Sequence, residues 1–347
     1  VLSGSEGRTP LESWWDSLLH RRREGTDVQL TLDSGLQATA QDLLGDARGA
    51  AVLLDAITGE VLVLASSPSY DPNVLDDDWV DLADDPEGPL LNRATQGLYQ
   101  PGSVIHTAVL AEVLSVRSTT LGAIPVGPDA ARPVAVDGLS LQCGRGDSDP
   151  ETLAEAYARS CPSPITQLAE VLGTGGIADA IRRWALDSAP GLEIPAAASA
   201  WDISAGFDLR AEALGQGTLV LSPLRVATIA ATLGADGTMP STHLVRRVQG
   251  RDGRWVVAAP PAGGRHVVSP AVASDLLGAW ALEDQGRARA RAGTAIAGEG
   301  QRPHSWYAGV ASVAGKVYAV AVLVEHAEDE QLASSIGLAL LQGAVSG

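Results

Sequence analysis

Apolar positions along this chain recur with two periods, and the alternation between them lays out the elements. VQLTLD (28–33) alternates and predicts a short strand. Asp33 or Ser34 then caps a helix that carries Leu36, Ala40, Leu43 and Leu44 on one face and closes at Gly45. AAVLLDAITGEVLVLAS (50–66) is two apolar runs about a Thr58-Gly59 turn, the pattern of a buried hairpin. The acidic, proline-bearing stretch 67–89 reads as loop, and Pro101-Gly102 opens an apolar helix that runs to Leu114. Asp149-Pro150 predicts a helix to Arg159, and Cys161-Pro162 ends it. Ser163-Pro164, Ser222-Pro223 and Ser269-Pro270 each start another, the first ending at Gly173 and the second at Gly234. GTA (293–295), SWYAGVASV (305–313) and KVYAVAVLVE (316–325) read as strands, and 330–343 as a closing helix.

Strands thus sit at both ends of the chain and helices in its middle. One sheet built from 49–66 and 290–347, with a helical insert over about 67–285, satisfies the otherwise unpaired strand edges. Residues 1–25, with Trp14-Trp15 and Arg21–Arg23, read as an N-terminal arm or linker, and 26–347 as one domain.

Composition narrows the function classes. With 42 acidic against 24 basic residues the net charge is −18, which argues against binding nucleic acid or an anionic membrane surface. No apolar run reaches the roughly 18 residues of a membrane span. Cys143 and Cys161 lie in no C-x-x-C pair and near no histidine cluster, so a metal site is not expected. They are either buried thiols or one disulfide. The only lysine is Lys316, and it falls at a turn between two strands.

The stretch that carries chemistry is YQPGSVIH (99–106). It sets the Ser103 hydroxyl at a helix N-terminus, where free N–H groups favour a developing oxyanion, and places His106 one turn on. A serine followed at i+3 by a base has the layout of the S-x-x-K nucleophile motif, with histidine in the lysine position. The same residues also suit an N-cap and a core histidine.

Five segments in register resemble the transpeptidase domain of penicillin-binding proteins: VQLTLDSGLQATAQDLL, GAAVLLDAITGEVLVLASSPSYDPN, PLLNRATQGLYQPGSVIH, EALGQGTLVLSPLRVATIAATLGADG and RAGTAIA with HSWYAGVA. The resemblance covers residues 26–345 and implies an α/β (α+β) fold of the β-lactamase/transpeptidase type. That fold has a mostly antiparallel five-stranded sheet flanked by helices, and an all-helical subdomain. It further implies a domain on the outer face of the bacterial cytoplasmic membrane, held by an anchor upstream of Val1, a setting that fits a Cys143–Cys161 disulfide. No cofactor is implied. All three family motifs depart here. S-x-x-K is Ser103-Val104-Ile105-His106, S-x-N is Ser160-Cys161-Pro162, and K-T-G is Arg291-Ala292-Gly293, followed by Thr294. By resemblance, Arg291, Gly293 and Thr294 form the ligand-binding edge, and backbone N–H groups of Ser103 and near Ala295 form the oxyanion hole.

The leading functional reading is a catalytically degenerate pseudo-transpeptidase that scaffolds or regulates other cell-wall synthesis or division proteins. A second reading keeps a serine acyl-transferase or hydrolase, with Ser103 as nucleophile and His106 as base, acylated slowly by β-lactams or stem peptides. A third is a sensor of muropeptide-like ligands.

Overall fold

The computed structural model describes residues 27–346 apart from 137–138, 145, 147, 204–206, 259–262, 299, 328 and 330; the N-terminal arm read over 1–25 lies outside the described residues. Six strands make the central sheet: β1 (Gly49–Asp55), β2 (Val61–Ser67), β3 (Ala281–Glu283), β4 (Ala288–Ala295), β5 (His304–Val313) and β6 (Lys316–Val324). Their order is β3-β4-β5-β6-β1-β2, with every neighbouring pair antiparallel. The five long strands are those expected, and β3 adds three residues at one edge. Both termini of the domain therefore meet in the middle of the sheet, where β6 pairs with β1 from Tyr318↔Asp55 to Val324↔Gly49.

Continuous apolar strands are what a sheet covered on both faces requires. Along β5, Trp306, Ala308 and Val310 enter one core, while Tyr307 and Ala311 enter the other. The first core lies under helices α2 (His106–Arg117) and α5 (Pro223–Gly234). The second lies under α1 (Ser34–Leu44) and the closing helix α6 (Leu332–Ser346). Polar caps set these helices. Asp33 Oδ1 accepts from Gly35 and Leu36 N–H, and Ser222 Oγ accepts from Arg225 N–H.

Four departures from the sequence reading have local causes. The helix expected from Asp149 begins at Leu153 instead (α3, Leu153–Ala158). Thr152 caps it, while the Glu155 carboxylate turns back to the Glu151 N–H. Gly173 (φ 66°, ψ 179°) does end the helix expected before it, but a second helical run follows at once, and the two are taken together as α4 (Pro162–Arg183). The acidic 67–89 stretch holds a helix, Leu75–Asp84, because Pro72 and Pro86 flank it rather than interrupt it. Finally, the middle portion is not free of strands. The strand expected at 28–33, seen as Val28–Leu30, pairs with Val245–Gln249, which pairs with Trp255–Val257, and Val134–Val136 pairs with Leu139–Leu141. Apart from the first, these runs are too short to declare a period by themselves. No helix among the described residues is long and apolar enough to cross a membrane.

Candidate active site

Backbone constraints fix the Ser103 turn before any side chain acts. Gly102 takes φ +53°, and a Cβ there would overlap the carbonyl oxygen of Thr294 on β4. Its N–H donates to Gly215 O at 3.0 Å, and Gly215, at φ +68°, in turn lies hard against the Gly102 backbone. Trp306 Nε1 holds Gln100 O at 2.9 Å from the sheet side. The turn is thus clamped between a strand and a strap. Residues Gly102–Ile105 wind as a 3₁₀ turn and pass into α2 at His106, so Ser103 and His106 stack one turn apart. Ser103 Oγ is buried without a hydrogen-bond partner, and a Cβ on Gly293 would overlap it; the glycine keeps the hydroxyl clear.

Arg291 is the hub of the site. It leaves β4 with 4% exposure, and its Nε donates to Ser103 O (3.1 Å) and Nη1 to Tyr157 O (2.6 Å). Nη2 donates both to Ser160 Oγ (3.0 Å) and to His106 Nδ1 (3.2 Å). The guanidinium carbon lies 4.2 Å from the centroid of the Tyr157 ring. Tyr157 is held in turn by Thr107 Oγ1 (2.7 Å) and by Trp280 Nε1, which donates to its hydroxyl at 2.8 Å.

A guanidinium only donates, so His106 Nδ1 must accept, and the ring proton sits on Nε2. Burial first, and the Arg291 charge second, hold the imidazole well below its usual range and therefore neutral. His106 Nε2 has no partner, and neither ring nitrogen hydrogen-bonds Ser103 Oγ. The role of base read for His106 has no free lone pair to act through in this arrangement. Lys316 does not substitute, being exposed at the start of β6 and outside the cleft lining.

The cleft has a volume of about 480 Å³ and is lined by Ser103, His106, Ser160, Gly293 and Thr294, with Arg159 and Gln216 at its walls. Ser160 takes φ 54°, and the residue after it, Cys161, is joined to Cys143 in a disulfide that ties one wall together. Arg159 reinforces that wall by donating to Gly144 O (3.1 Å) and Ser148 O (2.5 Å). Two expected site residues are not in the cleft lining. Arg291 shares the face of β4 with Gly293 but is buried beneath the cleft lining, with its donors committed to Ser103, Tyr157, His106 and Ser160, which makes it a positioning residue rather than a ligand contact. Ala295 is 1% exposed, and the strand meets the cleft one residue earlier, at Thr294. Gln216 lay in the GQG of the EALGQGTLVLSPL segment but was given no role, and Tyr157 carried no motif signal. Among the described residues no group of three or more His, Cys, Asp or Glu could hold a metal ion.

A family model for the penicillin binding protein transpeptidase domain matches residues 49–341. The peptidoglycan D,D-transpeptidase PbpA of Mycolicibacterium smegmatis is 32% identical over 384 residues, covering 99% of this chain and 78% of that protein. Penicillin-binding protein A of M. tuberculosis, solved as its penicillin G acyl-enzyme complex, superposes with a TM-score of 0.80 at 29% identity. That match covers 92% of this chain and 81% of the other. A protein solved within a peptidoglycan synthase complex superposes with a TM-score of 0.74 at 25% identity, covering 92% and 63%. The chain belongs to the penicillin-binding protein transpeptidase domain family.

Proposed function

We propose that this domain is a pseudo-transpeptidase of the bacterial cell envelope. It retains the family cleft and contributes to peptidoglycan synthesis as a scaffold or regulator of other cell-wall enzymes rather than as an efficient cross-linker. The observation that carries this reading is that Ser103 Oγ has no hydrogen-bonded base, while Arg291 occupies the one acceptor nitrogen of the neutral His106. Loss of general-base assistance alone costs about 10²–10⁴ in rate. The Cys143–Cys161 disulfide supports an oxidising compartment outside the cytoplasm, and the relative solved within a synthase complex supports protein partners of the same process.

The test is D-alanine release from a peptide ending in D-Ala-D-Ala, with the M. smegmatis relative run alongside. The expected result is a rate at least about 10²-fold below that relative. A comparable rate that disappears in Ser103→Ala overturns the reading.

A second reading, slow acylation of Ser103 without turnover, is favoured by one observation. The M. tuberculosis relative was captured as an acyl-enzyme on this fold, and Ser103, in the cleft lining, has a hydroxyl with no hydrogen-bond partner to lose.

A further inference from the structure

A second cavity, of about 590 Å³, shares no lining residue with the Ser103 cleft. It lies between the first turns of α5, the 190–193 loop and the segment 239–248, and much of its wall is apolar, with Leu192, Met239, Val245 and Val248. Set into that wall is Arg225, 5% exposed. The guanidinium has one good acceptor, Ser188 O, at 2.7 Å from Nη2. Nη1 reaches only Thr228 Oγ1 at 3.4 Å and the Met239 thioether at 3.5 Å, and Nε has no acceptor. Among the described residues no carboxylate forms an ion pair with it.

The other charged groups in the lining do not supply the missing counter-charge. Glu193 spends both oxygens on backbone, accepting from Leu244 N–H (2.8 Å) and Val245 N–H (3.2 Å). Arg265, exposed, adds a second guanidinium to the same wall and donates to Arg182 O at 2.8 Å. Burial, and then the Arg265 charge, push Arg225 down to about 10, and the Asp187 carboxylate, which forms no ion pair with it, counters only part of this, so it remains a cation at neutral pH. A buried charge without a partner is costly, and a cavity with an apolar wall, two guanidinium groups and one committed carboxylate favours a singly charged anion with a hydrophobic body.

We propose that this cavity binds an organic carboxylate. Its charged end faces Arg225 and Arg265, and its apolar body lies against Leu192, Met239, Val245 and Val248. The site is separate from the Ser103 cleft and does not depend on whether that cleft is catalytic.

The probe is 4-phenylbutyrate, titrated calorimetrically, with 4-phenylbutanamide as its neutral isostere, 4-phenylbutylamine as its cationic counterpart, and inorganic phosphate as an anion without the apolar body. The expected result is one-to-one binding of the carboxylate, at least tenfold weaker binding of the other three, and amide-resonance shifts at Thr228 and Val245 rather than at Ser103. Arg225→Gln is expected to weaken the carboxylate at least tenfold while leaving the unliganded unfolding midpoint unchanged or higher, because it removes a buried charge. Arg265→Gln, at an exposed position, gives an independent arm and weakens binding about threefold. Equal binding of acid and amide, full binding by Arg225→Gln, phosphate binding as tightly as the acid, or no heat with the acid up to millimolar concentrations each overturns the proposal.

Discussion

Replacing Arg291 by alanine removes a cation that makes four hydrogen bonds, to Ser103 O, Tyr157 O, His106 Nδ1 and Ser160 Oγ, and stacks on Tyr157. At about 1 kcal/mol net per hydrogen bond, with about 1 more for the cation–π contact, the gross loss is about 5 kcal/mol. Relief from burying the guanidinium, and water entering from the open cleft, offset part of it. The expected destabilisation is about 4 kcal/mol for Arg291→Ala and about 2 for Arg291→Gln, which keeps two of the contacts and no charge. Urea unfolding measures both. A double-mutant cycle with His106→Ala should return a coupling of about 1–2 kcal/mol. Loss of the neighbouring cation also moves the His106 midpoint up toward its ordinary value of about 6.5, which histidine ring resonances report directly. A destabilisation below about 1 kcal/mol, or an unmoved His106 titration in Arg291→Ala, refutes the placement of Arg291 as the hub.

The remaining predictions concern the walls of the cleft and the buried histidines. Gly293→Ala puts a methyl group into Ser103 Oγ and is expected to cost about 1–3 kcal/mol of stability, read by urea unfolding, and to remove any slow labelling of Ser103 by fluorescent penicillin over hours. Reducing the Cys143–Cys161 bond, which spans 18 residues, should cost about 3 kcal/mol, seen as a lower urea midpoint in dithiothreitol. His106 is held well below its ordinary value, and His304 is lowered to about 4, chiefly by burial. As pH falls below about 6.5, the unfolded chain takes up protons that the native state refuses, so stability drops toward pH 4. The slope is up to about 1.4 kcal/mol per pH unit for each histidine. Proton uptake on unfolding at pH 5 checks this, and His106→Asn should remove one histidine's share.

The long strands and the helices capped by Asp33, Ser222 and Ser269 were readable in the sequence because period and cap agreed over many residues. The small sheet around Val245–Gln249 was not, since its partners lie more than two hundred residues away at Val28–Leu30 and each run is short. Ser103, His106 and Ser160 fell together as the motifs placed them. Arg291 did point to the expected face of its strand, but its donors are spent on the protein rather than left for a ligand. The single spacing of the R-A-G motif does not reveal that Tyr157 and two carbonyl oxygens wait beneath the cleft, on the same face as Gly293, to take it. Likewise, the tautomer of His106 is set by a partner 185 residues distant.

The measurement closest to the central claim is time-resolved intact-mass spectrometry of the domain with penicillin G, beside Ser103→Ala and the M. tuberculosis relative solved as its penicillin G acyl-enzyme. Without a base for Ser103, no adduct should form on the timescale that fully acylates the relative, and at most a slow one over hours, absent from Ser103→Ala. Stoichiometric acylation at the relative's own rate, lost in Ser103→Ala, would contradict the account and return Ser103 to the catalysts.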